Sequence, residues 1–153
     1  MKTCLVGCGG IAAVHGSVLT SGIDTEFVAA ADIKLEKAQS YAENFHTKPY
    51  PSLESMLEAE KPDVLHICTP HYLHVPMAIY SLERNINVFM EKPPAISFDQ
   101  LEELKKAAAK SDAQLGFCYQ NRYNASIRAA KDLIDSGKSG KVLGARAFVT
   151  WCR

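Results

Sequence analysis

The sequence carries no charge excess of either sign: Lys plus Arg and Asp plus Glu each number 17 among 153 residues. With neither a basic field nor an acidic tail, nucleic acid and other polyanions are not expected as partners. Long apolar runs are missing too. No segment approaches the roughly 18 consecutive apolar residues that read as a membrane span, and the N-terminus enters a strand without the basic region and apolar stretch of an export signal. Neither membrane insertion nor export is expected, and a cytoplasmic location is. The five cysteines, Cys4, Cys8, Cys68, Cys118 and Cys152, are odd in number and lack the Cys-x-x-Cys spacing of a metal site. With Cys4, Cys68 and Cys118 inside apolar strand candidates, they read as reduced thiols. No internal repeat or low-complexity segment interrupts the chain. A domain of this length hides roughly 68–70% of its unfolded surface, enough for one good core.

What is present is organised around Cys4-Leu5-Val6-Gly7-Cys8-Gly9-Gly10-Ile11-Ala12. An apolar strand breaks into Gly7-x-Gly9-x-x-Ala12 ahead of a helix-compatible run, which is the order strand, glycine turn, helix. Gly7 can take the tight turn, Gly9 has no side chain to hold a pyrophosphate off the backbone, and small Ala12 lets the helix pack close to the strand. The helix start offers unpaired N–H groups and a positive dipole end to an anion. Alone this match is weak. The next strand strengthens it: Glu26-Phe27-Val28-Ala29-Ala30-Ala31 ends in Asp32, 20 residues beyond Ala12, where a carboxylate meets the ribose hydroxyls of an adenosine. Both features in one β-α-β unit predict dinucleotide binding.

Periodicity then alternates between strand and helix. Leu35, Ala38, Ala42 and Phe45 give a second helix its apolar stripe, Pro49 and Pro51 bracket a short strand, and Ser52 caps a helix through Leu53, Met56 and Leu57. Val64-Leu65-His66-Ile67-Cys68 is a run that suits a strand covered on both faces. A helix with Val75, Ala78, Ile79 and Leu82 follows, then strand Val88-Phe89-Met90. Ser97-Phe98-Asp99-Gln100 reads as a capping box before Leu101, Leu104 and Ala108, and Leu115 to Tyr119 is a sixth strand. The fold class predicted is α/β, a doubly wound parallel sheet of the Rossmann type.

Chemistry in such a sheet gathers at the carboxyl ends of the strands. Three polar clusters stand there: Thr69-Pro70-His71-Tyr72-Leu73-His74, Glu91-Lys92-Pro93-Pro94 and Gln120-Asn121-Arg122-Tyr123. Lys92 directly follows an apolar strand and is stiffened by two prolines, which suits a positioned ammonium exchanging a proton with a substrate hydroxyl; a solvated lysine is the plainer alternative. Glu91 is either its electrostatic partner or part of a helix-end salt bridge. His71 and His74 could share a helix face, but no carboxylate or cysteine accompanies them at ligand spacing, and no metal is expected. His74 reads as packing by the cofactor or as a surface histidine, and His66 as a buried histidine with a hydrogen-bond partner. His15 and His46 carry no usable context.

Taken together, Gly7-x-Gly9-x-x-Ala12, Asp32, Thr69-Pro70-x-x-x-His74, Glu91-Lys92-Pro93 and Asn121-Arg122 resemble the glucose-fructose oxidoreductase and inositol dehydrogenase family, Gfo/Idh/MocA. The resemblance implies an NAD(P)-dependent oxidoreductase of the CH–OH class acting on a sugar, inositol or related polyol. It implies a cofactor set of Gly7, Gly9, Gly10, Ile11, Ala12, Asp32, Thr69, Pro70, His71, His74, Glu91, Lys92 and Asn121, with Lys92 also acting at the substrate hydroxyl. Two departures stand out: His71 where the family often has asparagine, and Pro94 where leucine or methionine is commoner. NAD is the cofactor expected, with NADP the alternative, and a homo-oligomer the expected assembly.

Family members are longer, with a second domain that faces the substrate. The domain reading is therefore 1–121 for nucleotide binding and 122–153 for a linker helix, Tyr123 to Ser136, plus a first strand of a truncated second domain, Val142 to Trp151. On that reading the chain is expected to be inactive by itself, and the residues beyond about Gly140, with their open-edged last strand, to be either mobile or ordered only through an intermolecular contact. A non-catalytic dinucleotide-binding sensor or regulatory module is the alternative function.

Overall fold

Strands and helices alternate strictly through the first 118 residues of the computed structural model, which describes residues 1–22 and 24–148. The strands are β1 Lys2–Val6, β2 Glu26–Ala31, β3 Lys48–Tyr50, β4 Val64–Ile67, β5 Asn87–Glu91 and β6 Leu115–Cys118. Between them run α1 Gly10–Ser21, α2 Leu35–Phe45, α3 Leu53–Glu60, α4 His74–Leu82 and α5 Phe98–Lys110. All neighbours pair in parallel in the order β3-β2-β1-β4-β5-β6. The order reverses beside β1, and that switch point opens a crevice beyond the carboxyl ends of β1 and β4.

Alternation along each strand builds two cores. Cys4, Val6, Leu65, Ile67, Val88 and Met90 point to one face, where Met56 and Leu57 of α3, Ala78 and Leu82 of α4 and Leu104 of α5 cover them. Leu5 and Ala30 point to the other, under Ala12 of α1 and Tyr41 of α2, with Phe27 and Phe45 against them. Helix α1 lies close to α2 because Gly16 has no side chain: a Cβ there would stand 2.4 Å from the Tyr41 hydroxyl. That hydroxyl donates to the Ala12 carbonyl at 2.7 Å.

The helix ends follow from local chemistry. Ser52 and Ser97 each accept from the backbone N–H three residues on, Ser55 at 3.1 Å and Gln100 at 3.2 Å, which satisfies one orphan donor of each first turn. Gln100 reaches back to accept from Ile96 N–H at 3.2 Å, a variant of the reciprocal capping box.

The chain divides into two compact units, Met1–Cys118 and the residues from Tyr119 onward. The second unit holds a 3-10 turn, Gln120–Tyr123, and α6, Ala125–Asp135, followed by Gly137 at φ +72°. Here one expectation is corrected. Residues 142–148 form no strand, and residues 149–151 of the expected strand lie outside the described residues. β-branched and aromatic content favours a strand only where another strand supplies backbone partners.

Candidate functional site

The glycine turn is held from both sides. Gly7 adopts φ +92°, and a Cβ there would lie 2.7 Å from the Cys68 carbonyl carbon, so both conformation and space exclude a side chain. Its N–H donates to the Ala31 carbonyl at 2.8 Å, which carries β1 straight into the turn. Gly9 and Gly10 face open space instead, with nothing within 4 Å of a built Cβ. Gly9 precedes α1 in extended conformation with no side-chain cap. The first N–H groups of a 12-residue helix therefore point into an open cradle, the geometry that receives a phosphate.

Asp32 stands at the end of β2 facing this turn. One carboxylate oxygen accepts from the Cys8 N–H and the other from the Lys34 N–H, both at 2.9 Å. Each oxygen keeps a second lone pair, so a clamped carboxylate can still accept from vicinal hydroxyls. Burial and then the charge of Asp32 push the Cys8 thiol up to about 12, which keeps it neutral beside the cradle. A hollow of about 300 Å³ opens next to Asp32 and Gly7, between Leu53 of α3, Thr69, Pro70 and Tyr72 after β4, and Met77 of α4. Thr69 Oγ1 is buried without a hydrogen-bond partner. Larger hollows, of about 470 and 360 Å³, lie by Lys61, Asp63 and Arg84 and between α4 and α5. Both are remote from the strand ends where a parallel sheet binds ligands. An open glycine cradle, a carboxylate at its rim and an apolar slot beyond it fit the pyrophosphate, ribose and adenine of a dinucleotide in turn.

Helix α4 and the loop after β5 are joined by His74, which is completely buried. Its Nδ1 lies 2.8 Å from the Pro93 carbonyl and its Nε2 3.0 Å from the Thr69 carbonyl, so both nitrogens are committed to backbone. His71 sits against it, ring centroids 5.6 Å apart. Lys92 is exposed, its peptide bond to Pro93 is cis, and its N–H donates to Glu91 Oε2 at 3.2 Å. Asn121 belongs to the second unit, in the turn Gln120–Tyr123, where its Oδ1 accepts from Asn124 at 3.5 Å. Ile11 is partly exposed on the first turn of α1.

Glu91 does not pair with the Lys92 ammonium. Its carboxylate is buried and meets His15 Nε2 at 3.1 Å, while His15 Nδ1 lies 3.0 Å from Nδ1 of His66. Burial alone would raise the Glu91 carboxyl. Hydrogen bonds from His15 and Cys118, the charge of His15 and the Lys92 N–H together hold it below its ordinary value. His66 is pushed down to about 4, first by burial and then by His15, so it is neutral near pH 7. Sequence reasoning expected a partner for His66 but missed His15. The signal was in the α1 periodicity: Ala12, His15, Gly16 and Leu19 occupy i, i+3, i+4 and i+7 and are all buried, which puts an imidazole on an apolar stripe.

Comparison with known proteins places the fold in a family. The model of an oxidoreductase family with an NAD-binding Rossmann fold, Gfo/Idh/MocA, matches residues 1–119. The chain is 29% identical over 144 residues to D-glucoside 3-dehydrogenase of Escherichia coli K12, covering 93% of this chain and 41% of that protein. It is 28% identical to inositol 2-dehydrogenase/D-chiro-inositol 3-dehydrogenase of Lacticaseibacillus casei, covering 96% and 44%. Among solved structures, the WlbA dehydrogenase of Bordetella pertussis, in complex with NADH and UDP-GlcNAcA, superposes with a TM-score of 0.87 at 31% identity, over 91% of this chain and 43% of that one. The chain thus spans about two fifths of the length of these relatives.

Proposed function

Because the chain belongs to the Gfo/Idh/MocA oxidoreductase family, we propose that it is the cofactor-binding portion of an NAD-dependent dehydrogenase. Its substrate is a sugar, inositol or related polyol, by analogy with the D-glucoside and inositol dehydrogenases it is similar to. The observation that carries the reading is the clamp of Asp32 on the Cys8 N–H at the rim of the open Gly9–Gly10 cradle. Gly7, Gly9, Gly10, Ile11 and Ala12 form the pyrophosphate turn, and Asp32 accepts from the ribose hydroxyls. Thr69 and Pro70 line the slot beyond, His74 holds the Thr69 carbonyl in place, and His71 packs against His74. Glu91, Lys92 and Asn121 belong to the nicotinamide end.

Bound NAD would accept the hydride from the carbinol carbon. Lys92 handles the proton: its neutral amine takes the hydroxyl proton during oxidation, and its ammonium returns one to the carbonyl oxygen during reduction. Asp32 selects the cofactor, since a carboxylate accepts from a free 2′-hydroxyl and repels a 2′-phosphate. Homo-oligomerisation is part of the same reading.

Fluorescence titration with NADH and NADPH tests it. NADH binds tighter, and Asp32→Ala weakens NADH by about 1–3 kcal/mol through loss of hydrogen bonds to a charged acceptor. Tighter binding of NADPH by the parent would overturn the NAD assignment. In a preparation that oxidises a polyol, Lys92→Met leaves NADH affinity near that of the parent and lowers the rate by about 10²–10⁴. An unchanged rate returns Lys92 to the solvated surface.

A further inference from the structure

Glu91 and Cys118 are register partners on β5 and β6, so their side chains leave the sheet on one face. Helix α1 brings His15 to that face, and His66 of β4, whose register partner is Phe89, stands behind it. One ligand atom from each of His15, Glu91 and Cys118 falls within 4.8 Å of the others, and His15 and Glu91 are almost wholly buried. Imidazole, carboxylate and thiol converge here from three different elements.

We propose that His15 Nε2, a Glu91 carboxylate oxygen and Cys118 Sγ form a binding site for one thiophilic divalent cation of the zinc class, with His66 orienting His15. The inference does not rest on the dehydrogenase reading: Glu91 is common to both, and the tests below read metal and thiol rather than cofactor or turnover. Geometry supports it first. His15 Nε2 and Glu91 Oε1 are 3.1 Å apart. An ion with bonds of about 2.0–2.2 Å spans that gap at an angle of roughly 95–100°, within reach of a turn of the His15 ring that aims its Nε2 lone pair at the ion. A sulfur about 2.3 Å from the same ion stands roughly 3.5 Å from each of them, inside the 4.8 Å that encloses the three ligand atoms, so a small adjustment of the half-buried Cys118 side chain completes three ligands.

Electrostatics supports it next. Without the ion, His15 Nε2–H donates to Glu91 and the His66 Nδ1–H donates to His15. With the ion, His15 keeps one N–H, moved to Nδ1, and gives it to Nδ1 of neutral His66, whose own proton moves to its Nε2; this is the outer hydrogen bond that fixes a metal-binding tautomer. The Cys118 thiol proton leaves to solvent. A dication, one carboxylate and one thiolate then sum to zero, which suits a buried site better than a carboxylate alone.

Cobalt reads the site directly. The reduced, chelator-stripped chain takes up one equivalent of Co²⁺ with a cobalt–thiolate charge-transfer band and the intense visible bands of low coordination, and Zn²⁺ displaces it. Cys118→Ser loses the charge-transfer band. His66→Phe weakens uptake about 10–100-fold, while His46→Asn, at an exposed helix end, binds as the parent does. Each variant is compared at matched far-UV circular dichroism. A second measurement needs no variant: one equivalent of Zn²⁺ slows alkylation of Cys118 by iodoacetamide in the parent, read by peptide mass. Absence of the cobalt–thiolate band at equimolar metal, its survival in Cys118→Ser, or equal Cys118 alkylation with and without Zn²⁺ would each overturn the proposal.

Discussion

Glu60 shows how a single charge can close the end of the sheet remote from the cofactor cradle. It is the last residue of α3 and nearly fully buried, yet Tyr50 donates to it at 2.6 Å, Lys48 at 2.9 Å and Lys2 lies 3.2 Å away. Those donors sit on β3 and β1, so one carboxylate fastens α3 to two strands. The Tyr50 hydrogen bond, then the Lys48 one, outweigh burial and with Lys2 hold its carboxyl near about 2, below the ordinary 4.5. A carboxyl depressed on folding stabilises the protein above its unfolded value and loses that contribution as pH falls through the folded one. Glu60→Gln therefore costs about 1–3 kcal/mol near pH 7 in urea melts. The gap between parent and variant narrows below pH 4.5 and closes near pH 2. A gap that stayed constant would mean that shape rather than charge matters at this position. The glycine turn and the carboxylate that faces it were legible in sequence because their spacing is short: Gly7, Gly9 and Ala12 declare themselves within six residues, and Asp32 at the end of the next strand. The His15–Glu91 pair was not, because its members are 76 residues apart and meet only when α1 folds over β5. Sequence offers Glu91 either its neighbour Lys92 or a helix-end salt bridge, whereas the carboxylate turns inward to His15.

At the scale of the element, boundaries came out of the sequence where a side chain marks them. Ser52 and Ser97 do so at the starts of α3 and α5, and the apolar stripes of α2 and α4 do so along their lengths. The tail did not follow its propensity, since residues 142–148 lack the strand partner that the amino acids themselves cannot supply. Helix α5 allows the two influences to be weighed. Leu104 is its one fully buried residue, at 1% exposure, and the Ser97 cap is its main terminal hydrogen bond. Ser97→Ala is expected to cost about 0.5–2 kcal/mol, and Leu104→Ala about 2–5 kcal/mol because it also leaves a cavity beneath α5. Packing thus dominates capping in this helix, and chemical denaturation of both variants checks the ranking. Equal losses would place α5 against the sheet more loosely than its buried leucine implies.

At the scale of the whole molecule, the apparatus of folding lies before Tyr119. All six strands, α1 to α5 and both core clusters belong to Met1–Cys118, and among the described residues the last buried apolar side chain is Leu104. Beyond it, α6 is 11 residues long and shows Ile127, Leu133 and Ile134 about half exposed. A helix of that length is marginal in water by its own hydrogen bonds, and the homo-oligomer proposed above would draw on its exposed apolar stripe. Two outcomes follow for a protein limited to residues 1–118. It melts cooperatively and still binds NADH, more weakly than the whole chain only by what Asn121 contributes, because the glycine turn, Asp32, Thr69 and Glu91 are all within it. It also scatters light as a monomer at concentrations where the 153-residue chain self-associates. Calorimetry, NADH titration and light scattering on the two proteins make the comparison. If the shorter protein fails to fold, β6 needs the residues that follow it. If it folds but associates as strongly as the whole chain, the association surface lies on the nucleotide-binding unit itself, where Val14 and Val18 of α1 are the exposed apolar candidates.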